Sequence, residues 1–228
     1  MKIALLCCGP SLTQFLPEYT VPGHNLVVGV NTAAWLYPVD WCVCADLHII
    51  EGFQREDRKL PRVGFVTHRA MPIPAPCERR LMPLGLQANH GGKLRCRYLL
   101  PHGAPEDACA YSFPNALAFC QQMRPDCIDI FGFDCSPSLK DVAGVEGQHH
   151  CNRWEQELPW IKHSWGPNCH VHSCLPLAVV NWLNCSAVDC SALWHEAIGS
   201  LAHCEPHPGV PAIPGSAPQL KPPVWITQ

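Results

Sequence analysis

Short, uninterrupted apolar runs alternate along the chain with stretches whose apolar residues recur at helical spacing. This is the pattern of a mostly parallel sheet with helices on both faces. Lys2 to Cys8 reads as the first strand, and the chain breaks at Gly9 and restarts at Ser11 as the cap of a short helix ending near Pro17. Asn25 to Val30 predicts a second strand that runs directly into a helical turn over Asn31 to Leu36, stopped before Pro38. Trp41 to Ala45 lacks any polar interruption, as expected of a strand buried on both faces, and ends at Asp46. A charged segment from Glu51 to Arg62 leads into a fourth strand over Val63 to Thr67. Order returns with a helix from Ser112 to Met123, where Pro114 suits the first turn, and a strand from Cys127 to Phe131 follows. A helix over about 148 to 163 would bury Cys151, Trp154, Leu158 and Ile161 along one stripe. His170 to Cys174 then reads as a late strand and Leu177 to Leu183 as a helix.

The expected architecture is a single Rossmann-like α/β domain over residues 1–204, with an irregular, lid-like insertion at about 70–109 and a Pro-rich arm over 205–228. At 228 residues and 47% hydrophobic content the chain can bury one substantial core. A net charge of −3 without any long Lys/Arg run excludes an electrostatic footprint for nucleic acid. No stretch approaches the roughly 20 apolar residues of a membrane span, and the apolar start is too short for a signal peptide, so the expected compartment is the cytoplasm. Sixteen cysteines invite a disulfide or zinc framework. Their placement argues otherwise: no Cys-x-x-Cys occurs, and Cys7, Cys8, Cys42, Cys44, Cys120 and Cys127 stand where a strand or helix would carry a small hydrophobe. In Cys169-His-Val-His-Ser-Cys174, strand alternation would put His170, His172 and Cys174 on one side and Cys169 on the other, unlike the knuckle pairs of structural zinc, so no metal site is predicted.

Candidate chemistry collects beyond the carboxyl ends of the predicted strands, where open parallel sheets bind ligands. Gly9, Pro10 and Ser11 form a strand-to-helix turn whose backbone N–H groups could hold a phosphate. Asn31 and Thr32 follow the second strand and suit a base or ribose. Asp46 and Asp134, after the third strand and after Gly132, can accept from hydroxyls or hold a divalent cation. Each has a plainer reading as a cap or turn residue. On the helix after 148, His149, Arg153 and Glu157 share one face, so His149 or its neighbour His150 could serve as general base and Arg153 could pair with phosphate. The plainer reading there is a solvated face with an Arg153–Glu157 pair.

The order Gly-Pro-Ser-Leu12, Asn31-Thr-Ala, Asp46, Ser112 heading a helix, Ile-Phe-Gly-Phe-Asp134 and a His-bearing helix resembles two related families. These are the bacterial lipooligosaccharide sialyltransferases and the 6-hydroxymethylpterin diphosphokinase-like proteins. The likeness covers roughly residues 2–46 and 110–175, with Cys8 where the sialyltransferases carry Asn and Phe113 where they carry Gly. The resemblance implies that Gly9 and Ser11 line nucleotide phosphates, Asn31 and Ser112 contact the nucleotide, and His149 or His150 is the base. It implies a nucleotide-sugar-dependent glycosyltransferase, with a CMP-type donor and a small-molecule acceptor. Two alternatives stay open: magnesium-dependent pyrophosphoryl transfer from ATP to a small heterocyclic alcohol, and a nucleotide-binding module without catalysis. A homo-oligomer is compatible with each.

Overall fold

The computed structural model describes residues 1–15, 23–44, 46–53, 58–67, 112–135, 141–144, 154–185 and 191–202. Within them, strands β1 (Lys2–Leu6), β2 (Leu26–Val30), β3 (Trp41–Cys44), β4 (Gly64–Thr67), β5 (Cys127–Phe131) and β6 (Cys169–His172) form a six-stranded sheet in the order β4-β3-β2-β1-β5-β6. Every pairing is parallel, so the expected Rossmann-like α/β fold is the one the chain adopts. The helices are α1 (Leu12–Phe15), α2 (Ala33–Leu36), α3 (Leu47–Gly52), α4 (Ser112–Gln122), α5 (Trp154–Ser164), α6 (Leu177–Asn184) and α7 (Ser191–Ala202).

Strand alternation sorts the core into two layers. Ile3, Leu5, Val28, Val30, Val43, Ile128 and Ile130 face α4, α5, α6 and α7, against Leu117, Leu158, Ile161, Val179 and Trp182. Ala4, Leu6, Val27, Cys42, Cys44 and Phe65 face the other way, against Leu12, Ala33, Ala34, Trp35, Ile49, Ile50 and Phe53. The right-handed rule for parallel crossovers accounts for the division. The chain steps from β1 to β4 in one direction through α1, α2 and α3, then from β5 to β6 in the opposite direction through α5, which places the second helix set on the opposite face. As a result the apolar cluster under α1, α2 and α3 takes only Phe131 from β5 and nothing from β6 among the described residues.

Two helices had no counterpart in the sequence reading. Six-residue α3 is too short for a 3.6-residue period to show, yet it buries Ile49 and Ile50. In α7, Leu193, Trp194, Ala197, Ile198 and Leu201 do carry that period and pack on the core. Lys162 in the last turn of α5 closes the end of α6 by donating to the carbonyls of Trp182, Leu183 and Cys185, with its ammonium 4.6 Å from the Trp182 ring centroid. Cys7, Cys8, Cys42, Cys44, Cys120, Cys127, Cys135, Cys169 and Cys174 are free thiols. Cys185 is disulfide-bonded and stands apart from the small-hydrophobe reading of the other cysteines. It follows α6 rather than filling a strand or helix position, so the small-hydrophobe argument did not reach it. The predicted lid at 70–109 and the arm at 205–228 lie outside the described residues.

Candidate functional site at the carboxyl edge

The turns that leave β1 and β5 are bound to each other rather than parted by a crevice. Cys7 N–H donates to Phe131 at 2.8 Å and Gly9 N–H to Gly132 at 2.8 Å. A side chain at Gly9 would have its Cβ 2.3 Å from the Gly132 carbonyl and 2.4 Å from the Asp134 carboxylate. Gly9 is therefore required for turn-to-turn packing, and Gly132 for its φ of +69°.

Asp134 occupies the anion position that the Gly-Pro-Ser turn offers. Its carboxylate accepts from the Ser11 N–H at 2.8 Å, from the Ser11 hydroxyl, and from the Cys174 N–H after β6 at 3.1 Å. Ser11 is 0% and Asp134 4% exposed. Pro10 is buried beside them. A phosphate at the Ser11 amide would have to displace this carboxylate, and the four-residue α1 adds little dipole to attract it. Thr32 is likewise committed: its hydroxyl donates to Asp141, a residue that carries no sequence signal, while Val142 N–H donates to the Cys8 carbonyl at 2.8 Å. The turn at 141–144 thereby covers the carboxyl ends of β1 and β2 on one side.

What stays accessible lies over β2 and β3. Asn31 adopts a left-handed φ of 47°, a conformation Asn tolerates, and is half-buried. Its side-chain oxygen accepts from the Ser112 hydroxyl at 3.1 Å, joining the end of β2 to the first residue of α4. Because α4 leads into β5, it runs against the strands, and its eleven residues direct the positive end of the helix dipole at Asn31. Asp46 is exposed ahead of α3, with no hydrogen bond from its side chain to that helix. His149, His150 and Arg153 lie outside the described residues. Glu157 is described, and it corrects the solvated-pair reading of its helix face. The side chain is 6% exposed among core residues, and burial pushes its carboxyl up to about 8.

A second polar group occupies the sheet face that α1, α2 and α3 leave beside β5 and β6. Asp129, in register with Ala4 and His170, accepts from His24 at 2.8 Å and from His172 at 2.9 Å. Burial raises the Asp129 carboxyl, but the bonds and charges of the two histidines outweigh it and hold the group below its usual value. The His172 ring stacks on Phe131 with centroids 4.9 Å apart. A shallow hollow of about 560 Å³ between the carboxyl ends of α4 and α5, lined by Gln121, His163, Trp165 and Asn168 among others, lies at the opposite end of the sheet from Asn31.

No family model, no curated protein and no solved structure matches the chain. Among the described residues no helix is long and apolar enough to cross a membrane.

Proposed function

We propose that this protein binds a nucleotide or nucleotide sugar over the carboxyl ends of β2 and β3, and that its reaction is glycosyl transfer from that donor to a small-molecule acceptor. The observation that carries the reading is the Asn31–Ser112 hydrogen bond, which sets an amide side chain and a helix start together at an accessible rim. In this reading Asn31 donates to the base or ribose, Ser112 and the dipole of α4 favour the phosphate, and His149 or His150 takes the acceptor proton. Since Asp134 is enclosed by its own donors, Asp46 alone remains of the two carboxylates offered for magnesium. That favours a donor whose departing group needs no cation, as with a CMP-sugar, over pyrophosphoryl transfer from ATP.

Calorimetry with CMP, UDP, GDP and ATP, with and without magnesium, tests the binding step. Saturable binding of CMP that weakens about tenfold in Asn31→Ala or Ser112→Ala supports it, a loss of about 1.4 kcal/mol; failure of all four nucleotides to bind removes it. Donor hydrolysis that persists unchanged in both His149→Ala and His150→Ala would remove the general base and leave a nucleotide-binding module.

A further inference from the structure

Cys127, Asp129 and His170 bring a thiol sulfur, a carboxylate oxygen and an imidazole nitrogen within 4.8 Å of one another. The topology makes this meeting inevitable. Cys127 and Asp129 are alternate residues of β5, so they share a face, and parallel register sets Asp129 beside His170 on β6. On that face the described apolar core stops at Phe131. A purely structural polar contact accounts for part of the group only. His24 and His172 already satisfy one oxygen each of Asp129 and tie the approach to β2 onto β5 and β6. Neither Cys127 nor His170 is needed for that tie.

We infer that Cys127, Asp129 and His170 form a binding site for a divalent transition metal of the zinc type, with His24 and His172 holding the carboxylate in place. A mixed sulfur, nitrogen and oxygen donor set suits Zn²⁺, whose bonds of about 2.0–2.3 Å require the three ligand atoms to close slightly from their present separation. Each carboxylate oxygen keeps a second lone pair after accepting from a histidine, so coordination and the two hydrogen bonds are compatible. Hydrogen-bonded support of a ligating carboxylate is the usual outer layer of such sites. His170 is exposed and Cys127 and Asp129 half-buried, which leaves an entry path and a fourth position for water. Binding releases the Cys127 proton to solvent as the thiolate bonds the metal, with no change of oxidation state.

The site lies toward the amino ends of β5 and β6, away from Asn31, so it stands or falls independently of nucleotide binding. The test is titration of the reduced full-length protein with Zn²⁺ against a chromophoric chelator, repeated with Co²⁺ as a spectroscopic probe. Wild type is expected to take up one equivalent more than Cys127→Ser or His170→Ala. The thiolate-to-cobalt absorption should fall in Cys127→Ser, and His172→Ala should weaken binding about 10- to 100-fold. His170 is an exposed residue of the edge strand, so its variant keeps the fold, which circular dichroism verifies. His163→Ala, on α5, serves as the control and should bind like wild type. Absence of metal uptake, or unchanged stoichiometry and affinity in both Cys127→Ser and His170→Ala, overturns the inference.

Discussion

One aspartate stands within β5 and another just beyond its carboxyl end, and the molecule treats them in opposite ways. At the carboxyl end, Asp134 is enclosed by two backbone N–H groups and a hydroxyl, none of which titrates near neutral pH. Within the strand, Asp129 is held by two imidazoles, and a thiol and a third imidazole lie within reach. Fixed donors make a carboxylate part of the scaffold; titratable, ligand-type neighbours leave it able to answer pH or metal. The kind of donor separates the two roles better than residue type or position after a strand, since it was Asp134, at the carboxyl edge of the sheet, that turned out to be internal.

The sharpest way to break this contrast is Asp134→Ala. The substitution strands the buried Ser11 N–H and hydroxyl, each costing about 1–3 kcal/mol, so a loss of about 4 kcal/mol is expected in urea unfolding at neutral pH. Nucleotide affinity of the folded fraction should be unchanged. A stability loss under 1 kcal/mol, or a selective loss of nucleotide binding, would return Asp134 to the ligand site.

Glu157 supplies the intermediate case, a buried carboxyl whose raised pKa has burial as its only resolved cause. Its folded value of about 8 stands above the ordinary 4.5, so the unfolded chain releases this proton first as pH rises. The stability associated with the neutral form is fully present below 4.5 and is lost progressively up to about 8. Allowing for relaxation and water penetration, the loss should be about 3 kcal/mol, and Glu157→Gln should flatten the profile over that window. Urea midpoints at several pH values measure it; a wild-type curve without a fall between those limits would mean that Glu157 is ionised in the fold.

The sheet was legible because a strand buried on both faces has no polar residue to blur it, as Trp41-Cys-Val-Cys44 shows. Even the facing of Cys169 away from His170 and His172 followed from period two alone. Partnerships across the chain were not legible. Ser11 and Asp134 are 123 residues apart and His24 and Asp129 105, and nothing local to either residue announces the other. The Gly-Pro-Ser turn is chemically able to hold a phosphate or a carboxylate; the fold decided by bringing a carboxylate there first. Asn31 and Ser112 stood out in the sequence because each ends or begins an element, and the fold joins them by a hydrogen bond on one edge of the sheet. The Cys127 group was not legible because its members are not local to one segment: two come from β5 and one from β6.

The smallest effect falls at Asp129, and its sign completes the contrast. Because its folded carboxyl titrates below the ordinary range, its contribution is present above the unfolded value and lost as pH falls through the depressed one. At neutral pH Asp129→Asn should cost about 1 kcal/mol, since the amide oxygen still accepts from one histidine and His172 can turn to water. Below the depressed value the variant and wild type should converge, the reverse of the Glu157 profile, in which the wild type is strongest in acid. Zinc adds a second lever: a metal held by this group should raise the melting temperature of wild type and leave Asp129→Asn nearly unmoved. If instead the variant loses several kcal/mol with or without metal, Asp129 is a scaffold residue of the Asp134 kind, and the distinction drawn from donor type fails.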